Sequence, residues 1–271
     1  LQRVDEVALA RKELSRLGAL GEKTDRSTLW LGAALLHQAG AHPEAARLVR
    51  RRLRSFSTTA PQGKARALWR IAYPKAYAPL METVASESGV PAAFIRAVAR
   101  EESGFNPTAV SKAHAYGMIQ LILPTAKTHA RALGLASDPR SLCNPEINLR
   151  IGANFIKFLW QRYPSNTGVV PSAYNAGYGA VDRWLRERRE LELDAWIESI
   201  PFPETKRYTR RVLQTYGVYK WLDTGKLLEL PKALPAADAA EGTRSAGARS
   251  ERLRSDIEVF MRRGLTKVGA G

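Results

Sequence analysis

Between Leu68 and Leu228, apolar residues recur at helical intervals in short runs punctuated by Gly and Pro, and strand-like alternation is scarce. A chain patterned this way buries its apolar stripes by packing helix on helix. The spacing predicts helices over 77–88, 91–103, 123–134, 144–163, 168–175, 178–189 and 204–224. The fold class is therefore mainly α, with room for a small β element.

Upstream, Leu1 to Leu53 is also helical in pattern, with Val4, Val7, Ala8, Leu14 and Leu17 on one stretch, then Leu29 to Leu36, then Ala45 to Leu53. Breaks at Gly18, Gly21 and the turn from Gly40 to Pro43 cut this region into helical hairpins. Hairpins of that length cannot bury an apolar face alone and stack on neighbours, as at the end of an α-solenoid. Ser55 to Lys64 reads as a connection. Three regions follow: stacked helical hairpins over 1–67, the main domain over 68–230, and a flexible or weakly docked tail over 231–271, with one short helix at Ile257 to Leu265.

An apolar fraction of 45% with six Trp is enough for a packed core. The 42 Lys and Arg against 26 Asp and Glu leave a charge of +16, so an anionic polymer or surface is the expected partner, and charge alone does not say which. The single Cys143 excludes an internal disulfide, and the His residues at 37, 42, 114 and 129 lack paired metal-ligand spacing, so neither metal nor cofactor is expected. No apolar run approaches the roughly 18 residues that span a bilayer. The chain starts at Leu1 without Met, which reads as a trimmed or processed start.

Pro91 and Gly104 frame a helix over Ala92 to Ser103 that ends on two adjacent carboxylates, Glu101 and Glu102. Ile95 and Val98 put Glu102 on an apolar stripe, while Phe94, Ala97 and Val98 put Glu101 near the same face, so periodicity does not choose between them. Either carboxyl, half buried at the negative end of a helix, would have a raised pKa suited to a general acid. Taken alone, such a pair more often sits exposed and pairs with Arg96 or Arg100.

The surrounding residues, RAVAREESGFNPTAVSKAHAYGMIQLILPTA, resemble the signature of the soluble lytic transglycosylase family. Two further segments arrive in that family's order: PSAYNAGYGAVDRWL at 171–185 and WIESIPFPETKRYTRRV at 196–212. The resemblance covers about 73–225 and implies a lysozyme-like catalytic domain, with 1–67 similar in kind to the α-superhelical domain that often precedes it. It makes Glu102, immediately before Ser103, the catalytic acid and base, and Glu101 the variable position before it. It also implies a periplasmic enzyme that cuts peptidoglycan glycan strands without water, with the substrate's N-acetyl group assisting and a 1,6-anhydromuramoyl end as product.

By the same resemblance Tyr174 holds the acid through a phenolic hydrogen bond, and Asn175 with Gly177 shapes the adjoining loop. Ser111, Gly117, Met118 and Gln120 match positions lining the sugar groove: glycine lets backbone approach a ligand, and an amide can both donate to and accept from an acetamido group. Glu204 matches a residue that contacts substrate, with Tyr208 one turn later, although PFPET is also an ordinary helix start. Arg207, Arg210 and Arg211 follow on that helix, where they are either a solvated basic face or a surface for anionic stem peptides. Three departures put groove shape and subsite strength in question: Met118-Ile119 inverts the family's Leu-Met, Pro124 falls one position late, and Ile122 stands where a methionine is common. The alternatives are a hydrolytic glycosidase of lysozyme or chitinase type and an inactive peptidoglycan-binding module. Nucleic-acid binding has only the charge behind it, so no nucleic-acid partner is expected.

Overall fold

The computed structural model describes residues 2–18, 21, 23–58, 60, 62, 63 and 65–235. These are mainly helical, as the spacing predicts, and fall into two compact units. One comprises residues up to Pro79 with Val218–Leu227; the other comprises Leu80–Gly217 with the described residues from Leu228 onward.

In the first unit, α1 (Gln2–Arg16), α2 (Arg26–Gln38), α3 (His42–Arg52) and α4 (Ala65–Ala72) follow one another. The Asp25 carboxylate accepts from the Ser27 and Thr28 amides and so starts α2. Gly40, at φ 78°, turns the chain into α3. Leu14, Leu29, Ala33, Leu36, Ala45, Val49, Leu53, Ile71 and Ala72 form the core. The predicted connection contains a 3-10 turn, Arg54–Thr58, because Phe56 packs edge-on against Trp30 and Trp69. Tyr219 Oη donates to the Pro74 carbonyl at 3.0 Å, and Arg66 to that of Leu222 at 2.6 Å, which bring 218–227 into this unit.

The second unit contains α5 (Ala78–Ser88), α6 (Ala92–Ser103), a two-stranded antiparallel pair of β1 (Ala115–Tyr116) and β2 (Leu121–Ile122), α7 (Leu123–Arg131), α8 (Pro145–Arg162), α9 (Val170–Ala176), α10 (Tyr178–Glu187), α11 (Leu193–Glu198) and the first part of α12 (Pro203–Thr224). Seven successive residues of α6, Phe94 to Arg100, are buried, so this helix is enclosed on every side. Asn144 accepts from the Glu146 and Ile147 amides and Pro145 supplies a preset φ, which together start α8. The sequence reading misses α11, whose one and a half turns carry only Leu193, Trp196 and Ile197 inward.

The first residues after Leu230 contact the second unit. Asn166, fully buried, donates to the carbonyls of Pro231 and Ala233 at 3.1 and 2.7 Å, and Leu193 N–H donates to that of Lys232 at 2.8 Å. Residues 231–235 are thus docked on the 3-10 turn Thr167–Val169 and the start of α11. The short helix predicted at Ile257 to Leu265 lies outside the described residues. Among those described, no helix is long and apolar enough to cross a membrane.

Candidate functional site

Helix α6 stops at Gly104, whose φ of 63° only glycine adopts freely and whose N–H closes back on the Ala99 and Arg100 carbonyls. Phe105 N–H donates to Ala99 O at 3.2 Å, and its ring turns into the core. Ser103 Oγ donates to Met118 O at 2.7 Å and accepts from Asn106 N–H at 2.9 Å. The last turn of α6 is therefore tied to the β1–β2 loop, and its two carboxylates stand on a fixed base.

Their surroundings differ. Glu101 accepts from Thr215 Oγ1 at 2.8 Å and from Arg211 Nε at 3.1 Å, with Arg100 Nε 3.8 Å away. Both of its oxygens are thus engaged by partners on α12. Glu102 has no comparable set: part of its surface stays open, yet protein packs around the carboxyl closely enough that loss of water dominates, and its pKa is pushed up to about 7. Hydrogen bonding with Tyr208 and the charge of Arg211 pull the other way, while the charges of Glu101 and Glu204 add to the rise. The structure thus distinguishes what periodicity could not.

The two phenols differ in what they face. Tyr174 Oη donates its one proton to the Ile119 carbonyl at 2.7 Å instead of to Glu102, because α9 presents it to the β1–β2 loop. Tyr208, 3% exposed, is the phenol whose hydroxyl bears on Glu102, and no bond of standard length and angle takes its proton. Desolvation, with the charge of Glu102 second, holds both phenols well above the ordinary tyrosine range. They are neutral neighbours of the carboxyl.

The loop from Ala109 to Gln120 is built on its own polar groups. Ser111 Oγ accepts from the Ala113 and Ala115 amides at 3.2 and 3.0 Å, so this side chain holds a turn. Gly117 has φ 79°, and a Cβ there would lie 2.2 Å from Leu142 O and 2.3 Å from Asn148 Nδ2. Met118 has no exposed surface, so its side chain is core and lines no open groove, contrary to expectation. Gln120, at φ 51°, spends both amide hydrogens on the Ala109 and Gly117 carbonyls at 3.1 and 2.8 Å. The expected donor to a ligand is therefore engaged, and the side-chain oxygen is the atom left to accept.

Asn148 is missed by the sequence reading. Fully buried on α8, it accepts from Ile119 N–H and donates to Tyr116 O, both at 3.0 Å, clasping the loop from both sides of its turn. The available signal is an amide within an apolar helical stripe. A second missed set joins α9 to α12: Thr205 Oγ1 donates to Asn175 Oδ1 at 2.6 Å, and the Ser172 and Thr209 hydroxyls bond at 2.8 Å. Asn175 therefore anchors α12, and this pairing sets the position of Tyr208. Glu204 and Arg207 are exposed; Arg210 pairs with Glu198 at 3.3 Å.

A carboxyl near pKa 7 beside neutral phenols is protonated and ionised in comparable amounts at neutral pH, so it can give a proton and take one back.

Residues 79–197 match the family description Transglycosylase SLT domain. The chain is 33% identical over 152 residues to the soluble lytic murein transglycosylase of Escherichia coli, covering 55% of this chain and 24% of that protein. It is 32% identical over 128 residues to the membrane-bound lytic murein transglycosylase C of Histophilus somni, covering 44% and 35%. The chain spans about a quarter of the length of the soluble curated relatives. Among solved structures, an inactive Glu-to-Gln mutant of the lytic transglycosylase Slt from Pseudomonas aeruginosa superposes with a TM-score of 0.61 at 30% identity, over 73% of this chain and 31% of that one. The 70 kDa soluble lytic transglycosylase in complex with bulgecin A gives 0.66 at 25% identity, over 86% and 37%.

Proposed function

We propose that the chain, whose residues 79–197 match the Transglycosylase SLT domain and which is similar to soluble lytic murein transglycosylases, belongs to that family and cuts the β-1,4 bond between N-acetylmuramic acid and N-acetylglucosamine in peptidoglycan, leaving 1,6-anhydromuramoyl ends. The observation that carries this reading is a single carboxyl, Glu102, held near pKa 7 beside a neighbour already committed to Arg211 and Thr215.

A glycosidic oxygen leaves only when protonated as positive charge grows on the sugar. Protonated Glu102 gives its proton to that oxygen, while the N-acetyl carbonyl oxygen of the muramic residue bonds to C1 as the C1–O bond breaks. Glu102, now a carboxylate, takes the proton of the C6 hydroxyl, whose oxygen displaces the acetamido oxygen at C1. The carboxyl is regenerated and no water is consumed. Between them, the acid and the substrate supply every reacting group, so this chemistry requires no metal or organic cofactor. Tyr208 steadies the carboxyl, and Tyr174 acts through the Ile119 carbonyl it holds. Ser111, Gly117 and Met118 serve the substrate through the loop they shape, Gln120 through its free oxygen, and Glu204 as an exposed contact at the start of α12.

The charge of +16 suits a polymer bearing lactyl and stem-peptide carboxylates, and the proposed substrate is consistent with work in the bacterial envelope, in the periplasm. The N-terminal hairpins serve as the end of an α-superhelical region. The test is mass spectrometry of muropeptides released from purified peptidoglycan by the protein, by Glu102→Gln and by Glu101→Gln. Anhydromuramoyl ends, cut by a factor of about a thousand or more in Glu102→Gln and still formed by Glu101→Gln at pH 5.5, are expected. Reducing ends would make the protein a hydrolase; no release by any form would make it a binding module.

A further inference from the structure

We propose that Glu101 is a positioning residue for the neighbouring acid: it holds the Arg211 guanidinium in an ion pair and so keeps that cation from pairing with the Glu102 carboxyl. The proposal rests on Glu102 being the proton donor.

The geometry is specific. Glu101 is only 10% exposed, and both carboxylate oxygens are engaged, one by Thr215 Oγ1 at 2.8 Å and the other by Arg211 Nε at 3.1 Å. Arg211 lies on α12 three residues after Tyr208, so the residue that touches the acid and the cation that must be kept from it share one helical face. Thr215 follows four residues later on the same face and fixes the carboxylate from the far side. The Arg211 side chain is 51% exposed and makes its ion pair with Glu101.

The groups facing Glu102 are Glu101 on its own helix, Tyr174 on α9, and Glu204, Tyr208 and Arg211 on α12. Arg211 is the cation among them and favours an ionised Glu102; Glu101 opposes ionisation directly through its charge and indirectly by occupying Arg211. A donor must enter the reaction protonated. Two adjacent glutamates thus have unlike tasks: one holds the nearby cation so that the other can stay neutral.

The test is a 13C NMR titration of the Glu102 carboxyl, with pH–rate profiles on peptidoglycan, in the full chain and in Glu101→Gln, Arg211→Gln and the double variant. Gln keeps the size of Glu101 and its bond to Thr215, and thermal unfolding midpoints report that each variant folds. In Glu101→Gln the Glu102 midpoint and the alkaline limb of the rate should fall by about one pH unit or more, and the rate at pH 8 by about tenfold. Arg211→Gln should move both upward, and the double variant should return them to near wild type. A merely structural role for Glu101 would lower the rate at every pH and leave the midpoint in place. Midpoints unmoved in both single variants, or moved in the same direction, overturn the proposal. Midpoints that move as expected in a protein releasing no anhydromuramoyl product support the ion-pair assignment and defeat the reaction.

Discussion

The N-terminal helices and the helices around Glu102 hold together by different means. The first unit closes on Leu29, Ala33, Leu36, Ala45, Val49 and Leu53, side chains whose attraction has no preferred direction. Apart from tyrosine hydroxyls such as that of Tyr219, the buried polar and charged side chains among the described residues lie between Arg96 and Thr215, in the second unit. Apolar volume is enough to stack helices, and it tolerates shifts of register that keep the volume filled. A hydrogen bond tolerates much less, because its energy falls steeply with distance and angle. The second unit can therefore place the atoms around one carboxyl, with Asn148 clasping the loop and Thr205 and Thr209 fixing α12 to α9.

Three substitutions sharpen or break this contrast. The largest effect is expected from Gly117→Ala: the new methyl would meet backbone at 2.2 Å and the buried Asn148 amide at 2.3 Å, at a φ that L residues rarely adopt. A loss of about 4 kcal/mol or more, read by urea unfolding, is expected. Full stability would show that the loop has slack. Next comes Leu36→Ala in the first unit, which should lose about 3 kcal/mol as a cavity. Hydrogen exchange should locate that loss in residues 26–52, and the Glu102 titration should stay in place. A moved titration would end the separation drawn between the units. Asn148→Ala should lose about 2 kcal/mol, since it strands the Ile119 N–H and the Tyr116 carbonyl. It should also depress kcat, because Tyr174 holds the same Ile119 unit. An unchanged kcat would reduce Asn148 to a stability residue.

The helices around the site were legible because Pro and Gly mark their ends: α5, α6, α8 and α12 begin and end within a residue or so of the predicted spans. α7 is shorter than predicted, since the chain leaves the helix after Arg131 and turns through Gly134 at φ 63°. Composition could not say where 231–235 docks, because its partner Asn166 lies 65 residues upstream of Pro231. The motifs single out Glu102 but say little of its surroundings. Tyr174 and Tyr208 could not be ranked as partners of the acid from sequence, since that depends on which phenol faces a free backbone carbonyl. Glu101 looked like filler because Arg211 and Thr215 lie more than a hundred residues further on.

That separation along the chain also bears on synthesis. Apart from its immediate neighbours on α6, the groups that tune Glu102 are Tyr174, Glu204, Tyr208 and Arg211, all made after it. A ribosome that has reached only Ser199 has produced the signature glutamate without the helix that brings three of those groups to it. The surroundings that raise the Glu102 pKa are therefore complete only once α12 has been made and packed.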